Sequence, residues 1–345
     1  MAESGDEPDD SRPPFELCGS FDDASPGDQT SRVDEGLPMP LVPRRFRSDG
    51  ADILWLRSAW LSPPCAVVGV GSADGGVGRS AITAAVGGVL ALACPDPVIA
   101  IDATGRTWGG LGLRVSTATP RSVWDAVDNA DSLIDRQSIE RIVQQGPTGL
   151  HALAAEEATE GGGGRRAPML HETYALVERI RPVYSIALLD LPQVEVRGIW
   201  SPLAGCEIPV LVSRATRESV QHTLRLLTQL RRVSSALVDQ VILTLVAGRP
   251  HHPREVRLAE QQATDAVRSV ITVPWDPVLA RPEPIDVRRL GASARRAVVN
   301  LAAEIVTRCA SVPGVTGAQG NARMARTSAL RLEQTRGLGN VEPRR

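Results

Sequence analysis

Short apolar runs separated by helix-length stretches constrain this chain more than any other feature. Residues 66–70, 97–101, 149–153, 185–189, 209–212, 241–246 and 270–273 each read as a buried strand. Between and after them, residues 80–93, 121–145 (with a break near Asp131), 169–179, 217–231 and 292–308 read as helices. A strand that is apolar on both faces needs cover on both faces, and helices joining successive strands supply it. The pattern therefore predicts an α/β fold with a doubly wound, mostly parallel sheet. Aromatic residues make up 3% of the chain, so Ala, Val, Leu and Gly must do most of the packing. The apolar share of 42% suffices for a substantial core.

The flanks read differently. Residues 1–50 are rich in Asp, Glu, Ser, Gly and Pro without apolar periodicity, which predicts a disordered acidic arm ending in Arg44-Arg45-Phe46-Arg47. Residues 52–61, with Trp55 and Trp60, read as a short helix docking on a domain that spans 51–310. Residues 311–345 read as a disordered, solvated tail, and Gly161–Gly164 with Arg165 and Arg166 as a flexible loop. The acidic start has no apolar h-region, and no run reaches the roughly 18 apolar residues of a spanning helix. Cys18, Cys65, Cys94, Cys206 and Cys309 are odd in number and widely spaced, without a C-x-x-C, so neither zinc nor a disulfide framework is expected. The expected location is the cytoplasm, with attachment to the inner face of the membrane left open. A net charge of −2 gives no general pull toward nucleic acid or anionic lipid.

One loop carries chemistry. Gly75-Gly76-Val77-Gly78-Arg79-Ser80 joins the strand at 66–70 to the helix at 80–93. Backbone N–H groups at such a junction, with the helix dipole behind them, favour an anion. Glycines let the backbone approach phosphate oxygens, and the Ser80 hydroxyl is of the kind that ligates Mg²⁺. All 38 basic residues are arginine, so any cationic role at this loop must fall to arginine.

The segment resembles the deviant Walker A motif, K-G-G-x-G-K-[ST], of the MinD/ParA superfamily of P-loop ATPases. The resemblance implies a P-loop fold that binds ATP or ADP with Mg²⁺, and assigns phosphate-loop roles to Gly75, Gly76, Val77, Gly78, Arg79, Ser80 and Ala81. Two departures stand out. The family's first lysine, which reaches the partner subunit's nucleotide in the dimer, falls at Asp74, and the second falls at Arg79. Asp102 matches the first acid of the family's D-x-D stretch, while Thr104 stands in place of the second. Asp190, in Leu189-Asp190-Leu191-Pro192, matches the Walker B-like aspartate. The resemblance thus implies catalytic and metal-binding roles for Asp102 and Asp190, with Ser80 as a further metal ligand. Pro274, in Val273-Pro274-Trp275-Asp276, falls at the stretch beside the adenine pocket.

Loose matches at Ser122–Val127, Asp131–Asp135 and Gly149–Ala155 resemble the CpaE/TadZ branch, which is linked to pilus assembly and polar positioning. Similar degenerate members accompany actinobacterial secretion systems, which the composition suits. The expected function is an ATP-binding positioning or assembly adaptor with weak or no hydrolysis. It would be a homodimer with a protein partner in a partitioning, pilus or secretion machinery. The alternative is a slow ATPase switching between ATP-bound dimer and monomer. Membrane and DNA association stay open, with no sequence feature favouring either. His251 and His252 read as a Pro-flanked loop rather than a metal site, and Arg217, Arg225, Arg231 and Arg232 as a solvated helix face.

Overall fold

The computed structural model describes residues 65–106, 110–116, 122–133, 135–155, 168–196, 201–248 and 252–311. The arm at 1–50, the Trp55/Trp60 segment, the Gly161–Arg166 loop and the tail at 312–345 lie outside the described residues.

Eight strands form one sheet: β1 (Ala66–Ser72), β2 (Val98–Asp102), β3 (Gln144–Gln145), β4 (His151–Leu153), β5 (Ile186–Gln193), β6 (Ile208–Arg214), β7 (Ile242–Val246) and β8 (Ser269–Val273). Their order is β3-β4-β2-β5-β1-β6-β7-β8, and every pairing is parallel except β3 with β4. The expected doubly wound sheet is what the chain forms.

Ten α-helices lie among the described residues: α1 (Arg79–Ala93), α2 (Leu111–Val115), α3 (Val123–Asp128), α4 (Arg136–Glu140), α5 (Leu170–Ile180), α6 (Arg217–Val233), α7 (Ser235–Asp239), α8 (Pro253–Thr264), α9 (Pro277–Ala280) and α10 (Ala292–Ser311). They cover both faces. Alternate residues of β1, Ala66, Val68 and Val70, pack into a core with Ala81–Leu90 of α1 and Val298–Ile305 of α10. Val67 faces the opposite core, which takes Leu176, Val177 and Ile180 from α5 and Val220, Leu226, Leu227 and Leu230 from α6. On α6 those apolar residues follow helical spacing, and Arg217, Arg225, Arg231 and Arg232 are exposed on the remainder, as a solvated face requires.

Three expectations need correction. Residues 121–145 do not make an interrupted helix. They hold α3, a 3₁₀ turn at Ala130–Ser132, α4, and then the edge strand β3. Gln144 and Gln145 carry no strand signal, and their pairing with Ala152 and His151 is a tertiary choice. The strand read at 185–189 does not stop there but runs on through Asp190 to Gln193. Pro192 is accommodated where the β1–β5 register shifts between Val70 and Ser72. Finally, α8 was not expected. Its buried stripe is only Ala259 and Ala263, too small a signal to stand out among charged neighbours. His252 is its N-cap residue and Pro253 its first helical residue, which accounts for the Pro-flanked turn; His251 lies outside the described residues.

Strand β1 has no room to spare. A β-carbon on Gly69 would overlap Cys206 Sγ and come within 3.0 Å of Leu191 Cδ1. Cys206 and Leu191 are themselves buried, so neither moves freely. Gly69→Ala is expected to lower stability by about 1–3 kcal/mol, read as a lower urea midpoint with unchanged slope. A variant as stable as the parent would show that Cys206 yields.

Candidate functional site

The parallel sheet brings the C-terminal ends of β1, β2, β5, β6, β7 and β8 to one edge, where open α/β sheets bind ligands. Register then decides which side chains meet. Asp190 pairs with Val70 on one side and Asp102 on the other. Registered neighbours in a sheet point to the same face. Val70 faces the α1 core, and so do Asp102 and Asp190.

The loop leaving β1 enters α1 at this point. Gly76 and Gly78 adopt left-handed backbone, with φ of 65° and 94°. Nothing lies within 4 Å of a β-carbon built on Gly75, so the loop's outer side is open. Gly78 is the N-cap of α1 and no side chain caps the helix, whereas α6 has Thr216 and α3 has Ser122 in that role. The first N–H groups of α1 thus lack the usual side-chain acceptor. The side chains of Val77 and Ala81 are buried in the core, so these two residues can offer a ligand only backbone.

Five side chains converge beneath the loop. Ser80 Oγ donates to Asp190 Oδ2 at 2.5 Å. Thr104 donates to Asp102 Oδ1 through its amide at 3.0 Å and its hydroxyl at 2.6 Å. Arg79 feels attraction from Asp190 and Asp102, which offsets part of the desolvation that lowers its pKa. Burial, reinforced by the charge of Asp102, pushes Asp190 up to about 7. Asp102 is likewise raised by burial, opposed by the Thr104 hydrogen bonds. Arg79 Nη1, Asp102 Oδ2 and Asp190 Oδ1 are all buried with no hydrogen-bond partner. Such orphaned polar atoms are costly, and here one cationic and two anionic groups leave atoms unmet in one place.

These residues fit Mg²⁺ and a phosphate. Hard oxygen donors from one hydroxyl and two carboxylates suit Mg²⁺, which takes its remaining ligands from water and phosphate. Among the described residues no cluster of three or more His, Cys, Asp or Glu is placed to hold a metal by itself. The uncapped start of α1, the open Gly75 and the unmet Arg79 Nη1 suit the anion.

Asp74 behaves in a way the sequence did not suggest. Its Oδ2 accepts from Ser219 Oγ at 2.7 Å and its Oδ1 lies 2.8 Å from His222 Nδ1. Both partners stand in the first two turns of α6, so the carboxylate is tied away from the loop's mouth to a neighbouring helix. Arg214, the last residue of β6, was also missed. Its Nη2 lies 3.3 Å from the carbonyl oxygen of Gly75 and 3.4 Å from that of Gly76. Neither contact has a local sequence signal, because the partners are about 140 residues apart. Pro274 follows β8, three strands from β1 in the sheet order, so it shares the edge but not the loop. The neighbouring Asp276 fixes that turn, accepting from Val278 N at 2.8 Å and Gly291 N at 2.9 Å.

No family model matches this chain, and no curated protein matches it. Solved structures do. A ParA family ATPase from Chlorobium tepidum TLS superposes with a TM-score of 0.55 at 18% identity, covering 69% of this chain and 98% of that one. The Aquifex aeolicus MinC:MinD cell division complex gives 0.53 at 19%, covering 70% and 96%. Pyrococcus horikoshii OT3 MinD complexed with Mg-ADP gives 0.53 at 17%, also covering 70% and 96%.

Proposed function

We propose, from the MinD/ParA-type P-loop ATPase fold that this chain has, that it is a nucleotide-binding protein whose phosphate loop is Gly75–Ser80. One observation carries the reading: an uncapped helix start, the unmet Arg79 Nη1 and the unmet carboxylate oxygens of Asp102 and Asp190 all lie at one loop. ATP or ADP is the ligand and Mg²⁺ its companion ion. Backbone N–H groups of residues 75–81 hold the phosphates, Arg79 neutralises them, and Ser80 with Asp190 and Asp102 would hold the ion. Bound there, Mg²⁺ would offset charge on the phosphate oxygens. Pro274 borders the base.

Hydrolysis is weak or absent in this reading. In-line attack needs neutralised charge and an oriented water. Thr104 stands where a second acid is expected, and it engages one oxygen of Asp102 twice. Asp74 brings a carboxylate in place of a lysine and spends it on α6. The protein then works as a cytoplasmic, CpaE-like adaptor of a positioning, pilus or secretion machinery, as a homodimer with a protein partner. The MinC:MinD complex supports a partner in general terms. Among the described residues no helix is long and apolar enough to cross a membrane.

A second reading is a slow ATPase switch, favoured by the unpaired Asp102 Oδ2, which is available to orient water. Calorimetry with Mg-ATP and Mg-ADP beside a phosphate-release assay separates the two. The expected result is binding with little or no turnover. Measurable turnover that Asp102→Ala abolishes would establish the switch and end the adaptor-without-hydrolysis reading. No binding of either nucleotide would end both.

A further inference from the structure

Position 74 holds a carboxylate that is tied to α6, yet the loop is not without a second cation. Arg214 ends β6, the strand beside β1, and its backbone is held firmly. Its amide donates to Ser219 Oγ at 3.1 Å, and that hydroxyl in turn donates to Asp74 Oδ2. Ser213 Oγ adds a contact of 3.0 Å to the same Ser219 hydroxyl. The side chain is a different matter. It is exposed, and among the described residues its side-chain hydrogen bonds run to the carbonyls of Gly75 and Gly76 at 3.3 and 3.4 Å, beyond the usual N–H···O range. A β-carbon on Gly76 would stand 3.3 Å from Arg214 Nη2, so the glycine leaves the guanidinium its space. The same Ser219 that anchors the Arg214 backbone draws Asp74 aside, which keeps the carboxylate from pairing with the guanidinium.

We propose that Arg214 is a phosphate-binding residue that reaches the terminal phosphate of a nucleoside triphosphate from within the same chain, supplying the charge that Asp74 does not. The inference rests on the phosphate-loop reading above. Arg79 and the α1 N-terminus gather the phosphates nearest the helix start, whereas Arg214 lies against the opposite end of the loop, at Gly75 and Gly76. In this arrangement a triphosphate would extend to that end and a diphosphate would stop short of it. Weakly held carbonyl contacts then exchange for charge-assisted ones to phosphate.

Titration calorimetry on the full chain with Mg-ATP and Mg-ADP tests this, comparing the parent with Arg214→Ala and Arg214→Lys, each first checked for unchanged circular dichroism and thermal midpoint. Arg214→Ala is expected to weaken Mg-ATP by about tenfold and Mg-ADP by less than about twofold. Arg214→Lys is expected to restore most of the loss, since an exposed point charge serves a phosphate. Equal losses for both nucleotides, or none for either, overturn the proposal while leaving the loop assignment intact. If the parent binds neither nucleotide, the loop assignment itself fails and takes this proposal with it.

Discussion

Arg79→Ala is expected to lower Mg-ATP affinity by roughly a hundredfold, about 2–3 kcal/mol, as measured by titration calorimetry. The guanidinium is the cation at the start of α1, and its Nη1 is buried without a partner. A bound phosphate would meet that atom, and its deletion would remove charge at the one point where the helix dipole already favours an anion. Arg79 also counters Asp190 and Asp102, so the same change leaves two buried carboxylates facing each other. Some loss of thermal stability should accompany the loss of affinity. Arg79→Lys separates the two effects. Lysine keeps the charge at both the carboxylates and the phosphate, and affinity within about tenfold of the parent is expected. Affinity unchanged in Arg79→Ala would mean that the loop does not cradle an anion.

Arg181→Ala should cost the fold about 3 kcal/mol, among the largest single-residue losses available outside the apolar core. Arg181 closes α5, and its guanidinium meets Glu207 Oε1 at 2.9 Å, Glu178 Oε1 at 2.9 Å and the Cys65 carbonyl at 2.6 Å. Glu207 returns to the same strand entry, accepting from Val67 N at 2.7 Å while its own amide donates to Val67 O at 2.9 Å. Side-chain exposure is 17% for Arg181 and 13% for Glu207, so truncating one leaves the other charged and poorly solvated. The exposed pair Arg136–Glu140, at 64% and 42%, provides the control: Arg136→Ala should cost under about 0.5 kcal/mol. Urea denaturation of both variants checks the contrast. Equal costs would show that the Arg181 network is solvated and inert. Because this network anchors the beginning of β1, the strand that leads into the glycine loop, Arg181→Ala should also blunt the proposed nucleotide binding in proportion to the unfolded fraction, and no further.

Legibility followed signal length. Strand β1, the glycine loop and α1 form one uninterrupted stretch, so both the fold type and the loop could be read from neighbouring residues. Asp102 and Asp190 were legible singly, as acids at the ends of apolar runs. Their meeting required β2 and β5 to lie side by side in the register that pairs them. The weaker elements failed for the same reason. β3 is two glutamines with no propensity for a strand, and α8 buries only two alanines.

What the chain determined locally is the periodicity of its apolar residues, the glycines able to take positive φ at 76 and 78, and the substitution of arginine for every lysine. Those features act within a few residues and need no partner. What only tertiary structure decided is the fate of charges at the loop's rim. Asp74 reads as a misplaced charge beside the glycine loop until α6 supplies Ser219 and His222 to hold it. Arg214 reads as one more surface arginine until β6 is seen to run beside β1 and bring it to Gly75 and Gly76. Electrostatic roles depend on distance in space, and strand order sets that distance.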